Sequence, residues 1–165
     1  MARYDIKIKD QGGLNVVPTR VCQTEAAATA IYAGEPVKIK SAGSPYVIPV
    51  ADAEPVIGTT VEVVGIAKSD GTHTASADGT VEVYIPTPSV IWEAKAKSAA
   101  AADTASEVAA LENDTLLFDL TSSSYTIDTA AGSVATGGLE VVGGDHTRSV
   151  IYFKFRASAL QGIIA

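Results

Sequence analysis

Ser149-Val150-Ile151-Tyr152-Phe153-Lys154-Phe155-Arg156 decides the fold class of this chain. Apolar side chains recur at alternate positions, the period of a strand with one face buried. The residues are the β-branched and aromatic types that fit a pleated surface. Upstream, Leu139-Glu140-Val141-Val142 reads as a neighbouring strand, and Gly143-Gly144-Asp145-His146 as the turn joining the two.

Working back from this pair, the same signature repeats. Val37-Lys38-Ile39-Lys40 alternates after the turn Ala33-Gly34-Glu35-Pro36, and Ser41 to Pro45 returns the chain into Tyr46-Val47-Ile48-Pro49-Val50, which makes a hairpin. Val61 to Ala67, Val81 to Ile85, Ser89 to Lys97, Thr115 to Leu120 and Tyr125 to Asp128 read as further extended segments. Leu14 to Gln23 contains Pro18, which confines it to a sheet edge or a bulge. Thr24 to Ala30 is Ala-rich, a helical turn or a loop, and Thr129 to Gly138 is a loop. One helix is expected, between Asp103 and Leu111. There Thr104 and Glu107 have the spacing of a capping box, and Val108 and Leu111 share a face. About nine short strands predict a mainly β fold, a small barrel, β-tulip-like or sandwich domain, because closure removes aggregating edges.

The chain has 165 residues, which suits one β-rich domain over 14–165 preceded by a segment over 1–13. That segment alternates, with Tyr4, Ile6 and Ile8 on one side and Asp5, Lys7 and Lys9 on the other, before Gly12-Gly13. It is either the first strand of the domain or an extended arm, hinged at the glycines, that pairs with a partner's sheet edge.

Composition narrows the function classes. A net charge of −7 with scattered Lys and Arg argues against nucleic acid as the main partner. The single Cys22 excludes an internal disulfide and any multi-cysteine metal site, and it reads as a small buried hydrophobe. Met1 to Lys7 carries charge where a secretory signal is apolar, and no apolar run approaches a membrane span, so a soluble protein made in the cytoplasm is expected.

No nucleotide-binding, hydrolase-elbow or zincin motif occurs in the sequence. His73 and His146 read as loop residues, since zinc needs three or four preorganised donors. The triplets Asp70-Gly71-Thr72 and Asp78-Gly79-Thr80 lack the alternating oxygen ligands of a calcium loop and read as hairpin turns. Glu62 and Glu82 could face each other across strands as a carboxylate pair, but in alternating strands they read as a solvated face. Trp92 is an interface anchor or core. Arg148, Lys154 and Arg156 form a modest basic patch on an exposed strand. The expectation is a protein without catalytic residues, cofactor or metal.

The run Ala33-Gly34-Glu35-Pro36-Val37-Lys38-Ile39-Lys40, then Ala51-Asp52-Ala53-Glu54-Pro55-Val56-Ile57-Gly58, Val64-Gly65-Ile66-Ala67 and Asp78-Gly79-Thr80-Val81-Glu82-Val83-Tyr84-Ile85 resembles the small β-barrel decoration (cement) proteins of tailed bacteriophages. The resemblance covers roughly residues 30 to 90 by motif. It implies a structural virion protein on the outer surface of an expanded capsid, bound to the major capsid protein as a homo-oligomer, with a trimer favoured. It also implies an N-terminal segment that touches the coat, here Tyr4, Ile6, Ile8, Gly12 and Gly13. Three simultaneous lattice contacts would multiply a weak one by effective concentration. The helix and the long segment after it depart from the smallest members of that family. The alternatives are another virion subunit, of the tail tube or a head fibre, and a carbohydrate-binding β module.

Overall fold

Val63-Val64-Gly65-Ile66-Ala67 is buried at every position, because this strand is the wall between two cores. Val63 and Ile66 face one core, and Val64 and Ala67 the other. Strict alternation would separate Val63 from Ile66. A register shift against the neighbouring strand, where Val37 pairs with Gly65 but Lys38 with Val63, inserts the extra residue that puts them on one side. Gly65 belongs there for space, since a Cβ would lie 2.0 Å from the Tyr84 carbonyl oxygen.

A computed structural model describes residues 6–58, 63–122, 124–130 and 132–160. The strands are β1 (Lys7–Asp10), β2 (Thr19–Thr24), β3 (Pro36–Ile39), β4 (Val47–Pro49), β5 (Val63–Ala67), β6 (Gly79–Tyr84), β7 (Ile91–Lys95), β8 (Thr115–Leu116), β9 (Phe118–Thr121), β10 (Ser124–Ile127), β11 (Leu139–Asp145) and β12 (Val150–Phe155), with one α-helix, α1 (Ala105–Leu111). They form a sheet β1-β7-β12-β11-β8, a sheet β2-β6-β5-β3-β4 and a ribbon β10-β9, every pairing between them antiparallel. The protein is therefore mainly β with one short helix, a small sandwich- or barrel-like domain. No helix among the described residues is long and apolar enough to cross a membrane.

The second sheet curls until its first and last strands touch at a parallel bridge between Gln23 and Tyr46. The buried cluster inside this small barrel is aliphatic, with Ile31, Val37, Val47, Val64, Val81 and Val83 among its members and Cys22 packed against it. The first core is larger and holds Trp92, Phe118, Phe153 and Phe155, whose rings meet edge-on or tilted at centroid distances of 5.6 to 6.2 Å. Such geometry adds about 0.5–1.5 kcal/mol per aromatic pair beyond area burial. The alternation in Ser149–Arg156 resolves accordingly: Ile151, Phe153 and Phe155 point into this core, while Tyr152 and Lys154 are half-buried on the other face.

The halves are fastened by polar bridges. Lys38 and Glu54 form a 2.7 Å ion pair with both side chains largely buried, and Glu54 also accepts from the Ala51 N–H. The Phe118 N–H donates to the Glu54 carbonyl at 2.7 Å, and Tyr125 Oη donates to the Val50 carbonyl. Helix α1 starts at the expected capping box: the Glu107 N–H donates to Thr104 Oγ1, and the Thr104 N–H to Glu107 Oε2. Asn113, in left-handed backbone at φ 70°, turns the chain away after the helix.

Two turn assignments are corrected. Gly143 and Gly144 lie inside β11, not in the connecting turn, because a bulge between Val141 and Gly143 carries the pairing on to Asp145 opposite Val150. The turn falls at His146–Ser149, where the Ser149 N–H donates to the His146 carbonyl. The Asp-Gly-Thr triplets are likewise not positive-φ hairpin turns. They lie beside each other, with the Thr72 N–H donating to the Thr80 carbonyl and the Thr80 N–H to Thr72 Oγ1. Gly79 is required because a Cβ there would sit 2.1 Å from the His73 nitrogen.

Candidate interaction surface

The residues singled out near the N-terminus lie in three different settings. Ile6 is buried in the aromatic core, and Ile8 packs against it. Lys7 and Lys9 point outward, and the Lys9 ammonium stands 4.7 Å from the centre of the Tyr152 ring. Residues 7–10 are thus a strand of the sheet, paired to β7 with Ile8 opposite Trp92. The Ile6 N–H donates to the Gly34 carbonyl, so the barrel covers the start of the outer edge of this strand. Ile6 is thus part of the protein's own core, with Ile8 half-buried beside it. Tyr4 lies outside the described residues.

Gly12 and Gly13 make a turn at φ 62° and 82°, in which the Gly12 N–H donates to Asp10 Oδ1 and the Leu14 N–H to the Gln11 carbonyl. A Cβ on Gly12 would lie 2.4 Å from the Ser89 carbonyl oxygen, so close packing as well as conformation selects glycine.

Just beyond this turn the surface changes character. Three of the four exposed large apolar side chains among the described residues, Leu14, Val16 and Val21, fall within eight residues of sequence. Val16 and Val21 are 75% and 70% exposed. Val17 between them is buried in the aromatic core and anchors the segment. Pro18 directly precedes β2, the outermost strand of its sheet, where its missing N–H costs nothing.

The direction of the main-chain groups in β2 follows from its pairing. The Ile85 N–H donates to the Pro18 carbonyl, and the register continues as Thr19 opposite Tyr84 and Arg20 opposite Val83. Antiparallel alternation then directs the N–H and C=O of Arg20 and Cys22 to β6, and those of Thr19 and Val21 away from it. Among the described residues that outer side is met at Gln23, by the bridge to Tyr46. From Thr19 to Val21 no described strand pairs with that side, and the barrel has an open seam there. A groove of about 310 Å³ runs beside it, walled by the strand edge and by Ile39, Pro45 and Val47, with Val64 of the barrel core behind. Arg20 stands at its rim. Burial pushes the Cys22 thiol up, against the opposing pull of Arg20.

Around the rest of the barrel, carboxylates serve as clamps. Asp78 Oδ1 accepts from the Ala26 N–H at 2.8 Å and Oδ2 from Tyr46 Oη at 2.8 Å, while Asp70 accepts from the Ala33 N–H. The Ala26 N–H first and the Tyr46 hydroxyl second hold the Asp78 carboxyl below its ordinary value. Glu82 is held low by Lys68 and Thr19, to which it is bonded, and Glu62 lies outside the described residues. His73 is half-buried with Nε2 3.1 Å from the Ala28 carbonyl, and His146 is exposed in its turn. Trp92 is core. Among the described residues no group of three or more His, Cys, Asp or Glu side chains could hold a metal ion.

The edge placement of β2 was legible from Pro18. Exposure of Val16 and Val21 was not, because nothing in the local sequence separates these valines from the buried Val17 between them. A scan against protein-family models finds no match, and a search of curated proteins finds none either.

Proposed function

We propose that this protein decorates the outer surface of a tailed-virus capsid, docking on coat subunits through the open edge of β2 and its apolar flank. The observation that carries this reading is a coincidence of place. The segments that resemble decoration proteins supply β3, β5 and β6 of the small barrel, and that same barrel bears the open edge between Thr19 and Val21. An extended coat segment adding to this edge gains main-chain hydrogen bonds, while Val16, Val21 and the groove take up its apolar side chains. Burying one valine contributes about 1.5 kcal/mol, so a single copy binds weakly and a trimer on neighbouring lattice points binds firmly.

The test is co-sedimentation of the purified protein with expanded, undecorated shells of its virus. Saturation at a copy number matching a lattice position is expected, with Val21→Asp reducing the bound fraction at least about tenfold. Absence of binding to both expanded and unexpanded shells would overturn the proposal.

A further inference from the structure

A second surface, far along the chain from β2, has a different chemistry. Where β7 ends, the β9–β10 ribbon and the Thr147–Ser149 turn enclose an open cleft of about 820 Å³. Asp119 is buried at the cleft with its carboxylate fixed in place. Lys97 Nζ lies 2.7 Å from Oδ1, and the Thr121 and Thr126 hydroxyls donate to Oδ2 at 2.8 and 3.4 Å. Ser124 and Ser149 add hydroxyls that bond to no other described group, and Ala96 and Ala99 give the lining an apolar strip.

This lining selects among ligand classes. Asp119 and Asp128 stand beside Lys97, Asp145 and Glu93 beside Arg148, and the Lys95 ammonium bonds the Arg148 carbonyl, so a phosphate would meet the repulsion of these carboxylates, which a neutral hydroxyl does not. Among the described residues no aromatic ring lines the cleft, so a nucleobase finds no stacking platform there. A sugar hydroxyl, by contrast, both donates and accepts, and Asp119 beside Lys97 offers the two complementary partners at one spot. The alanine strip suits the C–H face of a pyranose. We infer that this cleft is a binding site for a short neutral saccharide. Its volume lies in the range of small-molecule sites, and the missing aromatic ring makes single-site affinity weak.

Titration of the ¹⁵N-labelled protein with glucose, galactose, mannose and N-acetylglucosamine, and separately with inorganic phosphate, tests this by amide chemical shifts. At least one sugar should give saturable shifts confined to residues 95–99, 119–126 and 147–149, with phosphate giving none there. Asp119→Asn should weaken that binding about tenfold. Ser124→Ala, which touches no core contact, should weaken it by a smaller factor with the rest of the spectrum unchanged. Saturable shifts from phosphate alone, shifts outside the cleft, or no saturable shift from any of the four sugars would overturn the inference.

Discussion

The two halves of this protein solve the same packing problem with different materials. One core contains every phenylalanine and the only tryptophan of the chain, and the other is built from Val, Ile and Ala. Large rings bury much apolar area per residue, so the aromatic half can rely on packing. The barrel lacks that payload. It depends on backbone closure at Gln23–Tyr46, on glycines where strands and loops press together, and on the carboxylate clamps of Asp70, Asp78 and Glu54. A small aliphatic barrel also leaves a seam open, and that seam is where a partner strand can enter. The ring cluster lies in one half and the proposed docking surface in the other.

The largest expected effect comes from the aromatic half. Phe153→Ala should destabilise the protein by about 3–5 kcal/mol in urea unfolding, since Phe153 is fully buried against Phe118 and Phe155. A loss below about 1 kcal/mol would mean that the ring cluster is not the main store of stability. Next comes Gly79→Ala in the barrel. Its Cβ would collide with the His73 backbone, for an expected cost of about 1–3 kcal/mol, with amide exchange rising in β6 and residues 70–74 more than in β12. A uniform rise across both halves would erase the distinction drawn between them.

Acid should act on the clamps. The folded-state values of Asp78 and Glu82 lie below their ordinary ones. The stability they contribute is therefore complete above the unfolded carboxylate value of about 4 and is lost as pH falls through the folded values. Asp119 follows the same sign: burial pushes it up, but Lys97, Thr121 and Thr126 together outweigh burial and hold it low. Asp145, held low by Thr147 and Arg148, behaves likewise. The Ala26 amide resonance should titrate with Asp78 below about pH 4 and lose that response in Asp78→Asn. An unchanged response in the variant would remove Asp78 from the clamp. The smallest effect on folding belongs to Val21→Asp, within about 0.5 kcal/mol of the parent in urea unfolding, because the side chain is already in water.

Legibility followed the range of the interaction. Local patterns were readable: the alternation of Val81 to Ile85 and Ser149 to Arg156, the β3–β4 hairpin and the Thr104–Glu107 capping box all have a signal within a few residues. Long-range placements were not. Nothing near Lys7 names Glu93 as its cross-strand partner, and nothing near Gly12 shows that Ser89 presses on it. The Asp-Gly pairs carried a turn signal that tertiary pairing between Thr72 and Thr80 overrode. The β11 glycines were taken from the turn into the strand by a bulge. The cleft is assembled from strands and a turn distant in sequence, so the partnership of Lys97 with Asp119 has no local signature.

We propose the open edge of β2 as the docking strand. Hydrogen–deuterium exchange of the protein, free and bound to expanded shells, tests it most directly. Peptides covering residues 14–23 should gain the largest protection on binding, since the outward amides of Thr19 and Val21 acquire acceptors. Firm binding with no protection there, and protection elsewhere, would contradict it.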